Sequence, residues 1–216
     1  MAQISKLIPI GVFALAIVAG ILFFYLTSNL AKKNKKIHIE QMISELINVV
    51  ILIWVGKILT NFKLFIQDPL AVLAYPSDSK AFYLAILISG IILFIKVKRG
   101  KINVVPFMKS FIPVILVASF VYEFVYLVWL QTGGTIGYFI LITLLLILYY
   151  SVHDQLPDKL LFTMLLVVWS VGVFLLYSVQ PFVTMFGYII APWFVWFFFT
   201  INIFIILRKR DRHGRN

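Results

Sequence analysis

The chain has 216 residues, of which 62% are apolar and only 12% charged, and its mean hydropathy is +1.04. A soluble domain of this length needs a far larger charged surface, so that class is excluded. The net charge of +11 sits mostly in short Lys/Arg clusters between apolar runs, which fits membrane headgroups rather than nucleic acid, and the absence of Cys excludes disulfides, thiol chemistry and Cys-based metal sites.

A helix needs roughly 20 mostly apolar residues to cross a bilayer. Counting such runs predicts an all-α integral membrane protein with about seven transmembrane helices in one polytopic domain, 1–216. The spans fall at 7–27, 42–61, 82–97, 111–130, 136–150, 160–177 and 188–207. The first follows Lys6 but is longer than the apolar part of a signal peptide and ends without a small-x-small site, so it reads as a retained helix. The third and fifth are short for a full crossing. Residues 62–80 form the one sizeable segment outside, read either as an amphipathic stretch along the interface or as a loop packed on the helix tops. Pro106, Pro113, Pro157 and Pro192 sit near predicted span starts, and Pro181 breaks the chain after the sixth span. The pair Gly133-Gly134 reads as a tight turn.

Orientation follows from the cations. One side receives Lys32, Lys33, Lys35, Lys36, Lys96, Lys98, Arg99, Lys101, Lys109, Lys159, Arg208, Lys209, Arg210, Arg212 and Arg215. The other holds Lys6, Lys63 and Lys80, and Lys57 lies inside a span. Fifteen against three puts the N-terminus outside and the C-terminus in the cytoplasm.

Charges within a span each ask for a reason. Lys57 lies about three-quarters through the second span, and Glu123 lies mid-span in the fourth among Tyr122 and Tyr126. Two accounts fit: a polar pocket for a lipid headgroup or peptide backbone, and a brace in which the carboxylate is satisfied by Lys57 or by tyrosine hydroxyls. Glu45 is near enough to the interface to snorkel and is given no role. His38, His153 and His213 lack partners at metal-ligand spacing and read as solvated histidines; adjacency makes His153 and Asp154 a poor dyad. No catalytic residue, metal site or cofactor is assigned.

The succession of segments resembles a known family. Val55-Gly56-Lys57-Ile58 closes the second span and Asp68-Pro69-Leu70 follows. Ala81-Phe82-Tyr83 opens the third span, Phe111-Ile112-Pro113 the fourth, and Gln180-Pro181 follows the sixth. In this order they resemble the prolipoprotein diacylglyceryl transferases of bacteria, over nearly the whole chain but as architecture and scattered residues. That family has seven spans with the N-terminus outside, and moves a diacylglyceryl group from phosphatidylglycerol to a lipoprotein cysteine.

The departures bear on mechanism. Tyr83 stands at the family's histidine, Phe120 at its arginine, Glu123 at an asparagine and Val128 at its glutamate. Leu160 to Gln180 contains no Arg or Lys, and only Lys57 keeps a positive charge, without the bidentate reach of a guanidinium. The resemblance therefore implies a non-catalytic, multi-pass protein of the bacterial plasma membrane that binds phospholipid, a lipoprotein or another membrane protein. The candidate binding residues are Lys57, Tyr83, Tyr122, Glu123 and Tyr126. The alternatives are an active transferase using Tyr83 and Tyr126 as donors or acids, and an accessory subunit of a membrane complex.

Overall fold

A computed structural model describes residues 2–74, 77–129 and 136–201. They are helical apart from one small hairpin. In chain order the elements are α1 (Ala2–Thr27), α2 (Lys32–Thr60), α3 (Phe62–Gln67), α4 (Pro69–Ala74), α5 (Ser79–Lys98), α6 (Val104–Val128), α7 (Ile136–Val152) and α8 (Asp158–Val179). The strands β1 (Thr184–Met185) and β2 (Tyr188–Ile189) follow, then α9 (Pro192–Ile201).

Five of these helices, α1, α2, α5, α6 and α8, are long and apolar enough to cross a membrane. Their apolar residues are mostly not inside the protein: at most 33% of the apolar stretch of any of them is buried. Side chains such as Leu26, Ile51, Ile91 and Leu175 stay exposed on helices apolar on every side. In water such surfaces would drive aggregation, whereas lipid tails solvate them. The chain thus has the architecture of a multi-pass membrane protein.

Several boundaries differ from the hydropathy reading. α2 begins at Lys32, ten residues before the apolar run, because lysine is a good helix former and nothing between Ala31 and Asn61 breaks the helix. α5 starts at Ser79, where the Asp78 side chain accepts a hydrogen bond from the Ala81 N–H at 2.9 Å and caps the first turn. With 20 residues it is not the short span that its apolar core alone predicted. α6 begins before Pro106 and carries Pro113 inside it rather than at its start. The first residues of the predicted last span, Tyr188 and Ile189, belong to the β1–β2 hairpin, and α9 starts only at Pro192, whose fixed φ suits a first helical position. α7 has 17 residues and remains short. The segment after α2 forms the two short helices α3 and α4, while the Gly133-Gly134 turn and His213 lie outside the described residues.

The chain divides into two compact units, residues 1–115 and 116–216, with the division falling within α6. In the first unit α2 and α5 run antiparallel: Glu45 meets Lys96 near one end and Gly56 meets Ala81 near the other. A buried cluster of Phe24, Met42, Ile102, Phe107 and Val114 forms its core. In the second unit α7 and α8 pack together, joined by a hydrogen bond from the Trp169 indole N–H to the Tyr138 hydroxyl at 3.3 Å. The Phe174 ring lies 4.9 Å from Trp196 and so brings α9 onto α8.

Candidate functional site

The residues singled out in the sequence fall into two groups, one in each unit. In the first unit, Lys57 occupies the last turn of α2 and is 5% exposed. Its neighbour Gly56 brings α2 so close to α5 that a Cβ there would sit 2.9 Å from the Ala81 carbonyl oxygen. Only a residue without a side chain permits that approach. Gly56-Lys57 and Ala81-Phe82-Tyr83, two of the segments that carry the resemblance, are thereby placed side by side, and Tyr83 is buried. The Lys57 ammonium lies 5.8 Å from the centre of the Trp54 ring, a cation–π contact, and the Asp78 carboxylate is within electrostatic reach. The Lys57 carbonyl also accepts hydrogen bonds from the Asn61 amide at 3.0 Å and the Thr60 hydroxyl at 3.2 Å, which close the helix end.

The second group is built on the end of α6. Glu123 lies five residues before the end of α6 at Val128, about 8 Å along the axis. It is 1% exposed, and its Oε2 meets no hydrogen-bond partner among the described residues. Tyr122 and Tyr126, one turn apart, stack with ring centres 4.6 Å apart and share a hydrogen bond between their hydroxyls. Tyr138 of α7 is close enough to Glu123 to interact electrostatically, and Tyr188 of β2 is likewise close to Tyr122.

The β1–β2 hairpin caps this group. Its two-residue turn, Phe186-Gly187, has φ of 50° and 81°, both left-handed, as the tightest hairpin turns require. Gly187 accepts that conformation freely; Phe186 does not, and its ring is held edge-on to Tyr122 at 5.4 Å. A Cβ on Gly187 would lie 2.9 Å from the Tyr122 hydroxyl. Val183 and Ile190, which flank the strands, are buried and joined by a 2.9 Å backbone hydrogen bond, so the turn stands on a fixed base.

Chemically, this second group is a carboxyl oxygen with unused acceptor capacity, within electrostatic reach of the Tyr122 and Tyr138 phenols, which both donate and accept. Sequence reading found Tyr122, Glu123 and Tyr126 because they are polar groups in an apolar helix. It missed Tyr138, Trp169 and the hairpin; the one available signal was Gly187 between apolar residues shortly before Pro192.

Three smaller expectations are corrected. Glu45 does not snorkel: it is buried and pairs with Lys96 at 2.6 Å, with side-chain exposures of 11% and 28%. His38 is not fully solvated: it lies within α2 with its Nδ1 buried. His153 and Asp154 do meet, Nε2 to Oδ2 at 3.2 Å, because the chain leaves α7 at Val152 and the helical divergence of adjacent side chains no longer applies. Asp154 is 85% exposed, which makes this a solvated pair at the end of α7.

Compared with protein-family models, curated proteins and solved structures, the chain finds no match.

Proposed function

We propose that the chain is a non-catalytic, prolipoprotein diacylglyceryl transferase-like protein of the bacterial plasma membrane that binds a phospholipid headgroup through Glu123 and its tyrosines. It has about seven spans, with α7 and α9 counted beside the five long helices. The N-terminus is outside and the basic C-terminus cytoplasmic, as the distribution of Lys and Arg supports.

The observation that carries the reading is the enclosed Glu123 Oε2 without a partner. A buried carboxyl oxygen left unsatisfied costs about 1–3 kcal/mol or more, and native proteins keep such atoms few. An N–H or O–H donor from outside the chain removes that penalty. Near the end of a spanning helix, the hydroxyl or amine of a headgroup is at the right depth. The loss of cations at the family's arginine positions, and of its histidine at Tyr83, supports binding without group transfer, since the phosphate clamp and the base are both missing.

Native mass spectrometry of the protein purified in mild detergent tests the reading. Wild type is expected to retain a lipid with hydroxyl or amine donors, and Glu123→Leu is expected to carry one such lipid fewer while remaining folded. Equal retention by both proteins would refute the site, and a retained lipoprotein in place of a lipid would change the ligand class. A strain lacking the authentic transferase is expected to stay unmodified when supplied with this chain; restored lipoprotein modification would overturn the non-catalytic assignment. A reporter fused after Arg215 is expected to be cytoplasmic, and an extracytoplasmic signal would reverse the topology.

A further inference from the structure

At its C-terminal end α5 makes a second feature within the first unit, away from Lys57. Lys96 lies near the opposite end of the α2–α5 pair from Lys57, since Glu45, its partner, precedes Lys57 by about 18 Å along α2. The helix stops in a defined way. Gly100 adopts φ of 68°, its N–H bonds to the Val97 carbonyl at 3.0 Å, and the Lys101 N–H reaches back to the Lys96 carbonyl at 3.0 Å. These paired bonds form a Schellman ending, which turns the chain back over the last helical turn. Ile102, buried in the core with Met42 and Phe107, anchors the returning chain.

The turn gathers side chains of two kinds. Ile92 and Ile95 form an apolar wall, and Lys96, Arg99 and Lys101 form a cationic rim, around an open cleft of about 320 Å³. Glu45 neutralises one of the three cations, leaving Arg99 and Lys101 as the surplus charge. Above the cleft, Ile91 and Ile95 continue the exposed apolar face of α5. A phosphate beside cations with hydrocarbon running away from it along an apolar helix is the shape of one membrane component.

We propose that the cleft formed by Ile92, Ile95, Lys96, Arg99 and Lys101 at the end of α5 binds an anionic phospholipid, its phosphate on Arg99 and Lys101 and an acyl chain along Ile92 and Ile95. Basic pockets at helix ends select anionic lipids at about 1 kcal/mol per Lys or Arg near the surface. The Schellman turn supplies the register that a flexible basic loop lacks. This site is independent of the Glu123 site and needs only that α5 spans the membrane.

The chain has no Cys, so Ile91→Cys carries a single fluorescent label one turn above the cleft. The labelled full chain is reconstituted in phosphatidylcholine vesicles with rising fractions of brominated phosphatidylglycerol or brominated phosphatidylcholine. Bromolipid quenching then reports local lipid occupancy alone. With two surplus cations at about 1 kcal/mol each, the wild-type cleft is expected to be half-quenched at a roughly thirtyfold lower fraction of the anionic lipid. Arg99→Gln with Lys101→Gln is expected to abolish the preference, while Lys63→Gln with Lys80→Gln, the same charge change elsewhere, leaves it intact. Glu45→Gln frees Lys96 and is expected to strengthen the preference about fivefold, an effect that a purely structural role of the turn would not produce.

Equal quenching by both lipids, or equal loss in the control variant, would overturn the proposal. Displacement of the anionic lipid by millimolar inorganic phosphate would also overturn it, because the site would then recognise the anion without the chains. Failure of the wild-type chain to enter vesicles at all would instead refute the membrane reading of α5.

Discussion

Gly56 offers a direct test of how α2 and α5 are held together. A Cβ at this position would stand 2.9 Å from the Ala81 carbonyl oxygen, 3.2 Å from its Cα and 3.4 Å from its carbonyl carbon. All three are backbone atoms, so no side chain can swing aside; the helices must separate. Two opposing terms set the result for Gly56→Ala. Replacing glycine by alanine within a helix stabilises by about 1 kcal/mol, while forcing a methyl into a filled contact costs roughly 1–3 kcal/mol. The net expectation is a loss of about 1 kcal/mol, and Gly56→Leu, with three more carbons and the same obstruction, should lose about 3 kcal/mol. Gly90 is the internal control. It lies on α5 with nothing within 4 Å of its would-be Cβ, so only the helix term acts and Gly90→Ala should gain about 0.5–1 kcal/mol. Reversible unfolding of the purified chain in mixed micelles, followed by far-UV circular dichroism, measures all three. Opposite signs for the two alanine variants are the signature of the close crossing. If Gly56→Leu unfolds at the wild-type denaturant concentration, α2 and α5 do not touch at Ala81 and the placement of the Gly56-Lys57 segment beside Ala81-Phe82-Tyr83 falls with that contact.

The remaining expectations follow from single contacts. Breaking the Glu45–Lys96 pair by Glu45→Ala or Lys96→Ala should cost about 2 kcal/mol, below the 3–5 kcal/mol of a fully buried pair because Lys96 keeps partial access to solvent. The double variant Glu45→Leu with Lys96→Leu should recover most of that loss, and additive single effects in the same unfolding assay would show that the pair is not coupled. Asp78→Ala removes the cap of α5 and should cost about 1 kcal/mol, whereas Asp78→Asn keeps an accepting side-chain oxygen and should lie within a few tenths of wild type. Glu123→Leu should raise thermal stability in lipid-free detergent by about 1 kcal/mol or more, because an unsatisfied buried oxygen is replaced by hydrocarbon. A lower melting temperature in that medium would show that the carboxyl is already satisfied within the chain. Gly187→Ala should loosen the hairpin on two counts, its φ of 81° and the Tyr122 hydroxyl in the path of the new methyl; unchanged near-UV dichroism of the tyrosines would contradict that packing.

Membrane class and the five long helices were legible without coordinates, because the requirement is one-dimensional: a bilayer demands an unbroken apolar run, and a run is read along the chain. Lys57, Glu123, Tyr122 and Tyr126 stood out on the same ground, as polar groups in segments where lipid penalises them. Helix ends were less legible. The lysines that open α2 are hydrophilic yet helical, so hydropathy placed its start ten residues late, and the apolar residues of the β1–β2 hairpin were absorbed into a span because hydropathy does not distinguish a tight turn from a helix.

What only the tertiary structure decided is which distant residues meet. Glu45 and Lys96 are 51 positions apart, Tyr138 and Trp169 are 31 apart, and Phe186 reaches Tyr122 from another element altogether. Each pairing depends on the register between two packed elements, and in an apolar helix lipid-facing and protein-facing residues are the same types. Composition therefore says that a segment enters the membrane but not which face it turns inward. The close crossing at Gly56 and the turn at Gly100 supply that missing information, through sterics in one case and backbone hydrogen bonds in the other.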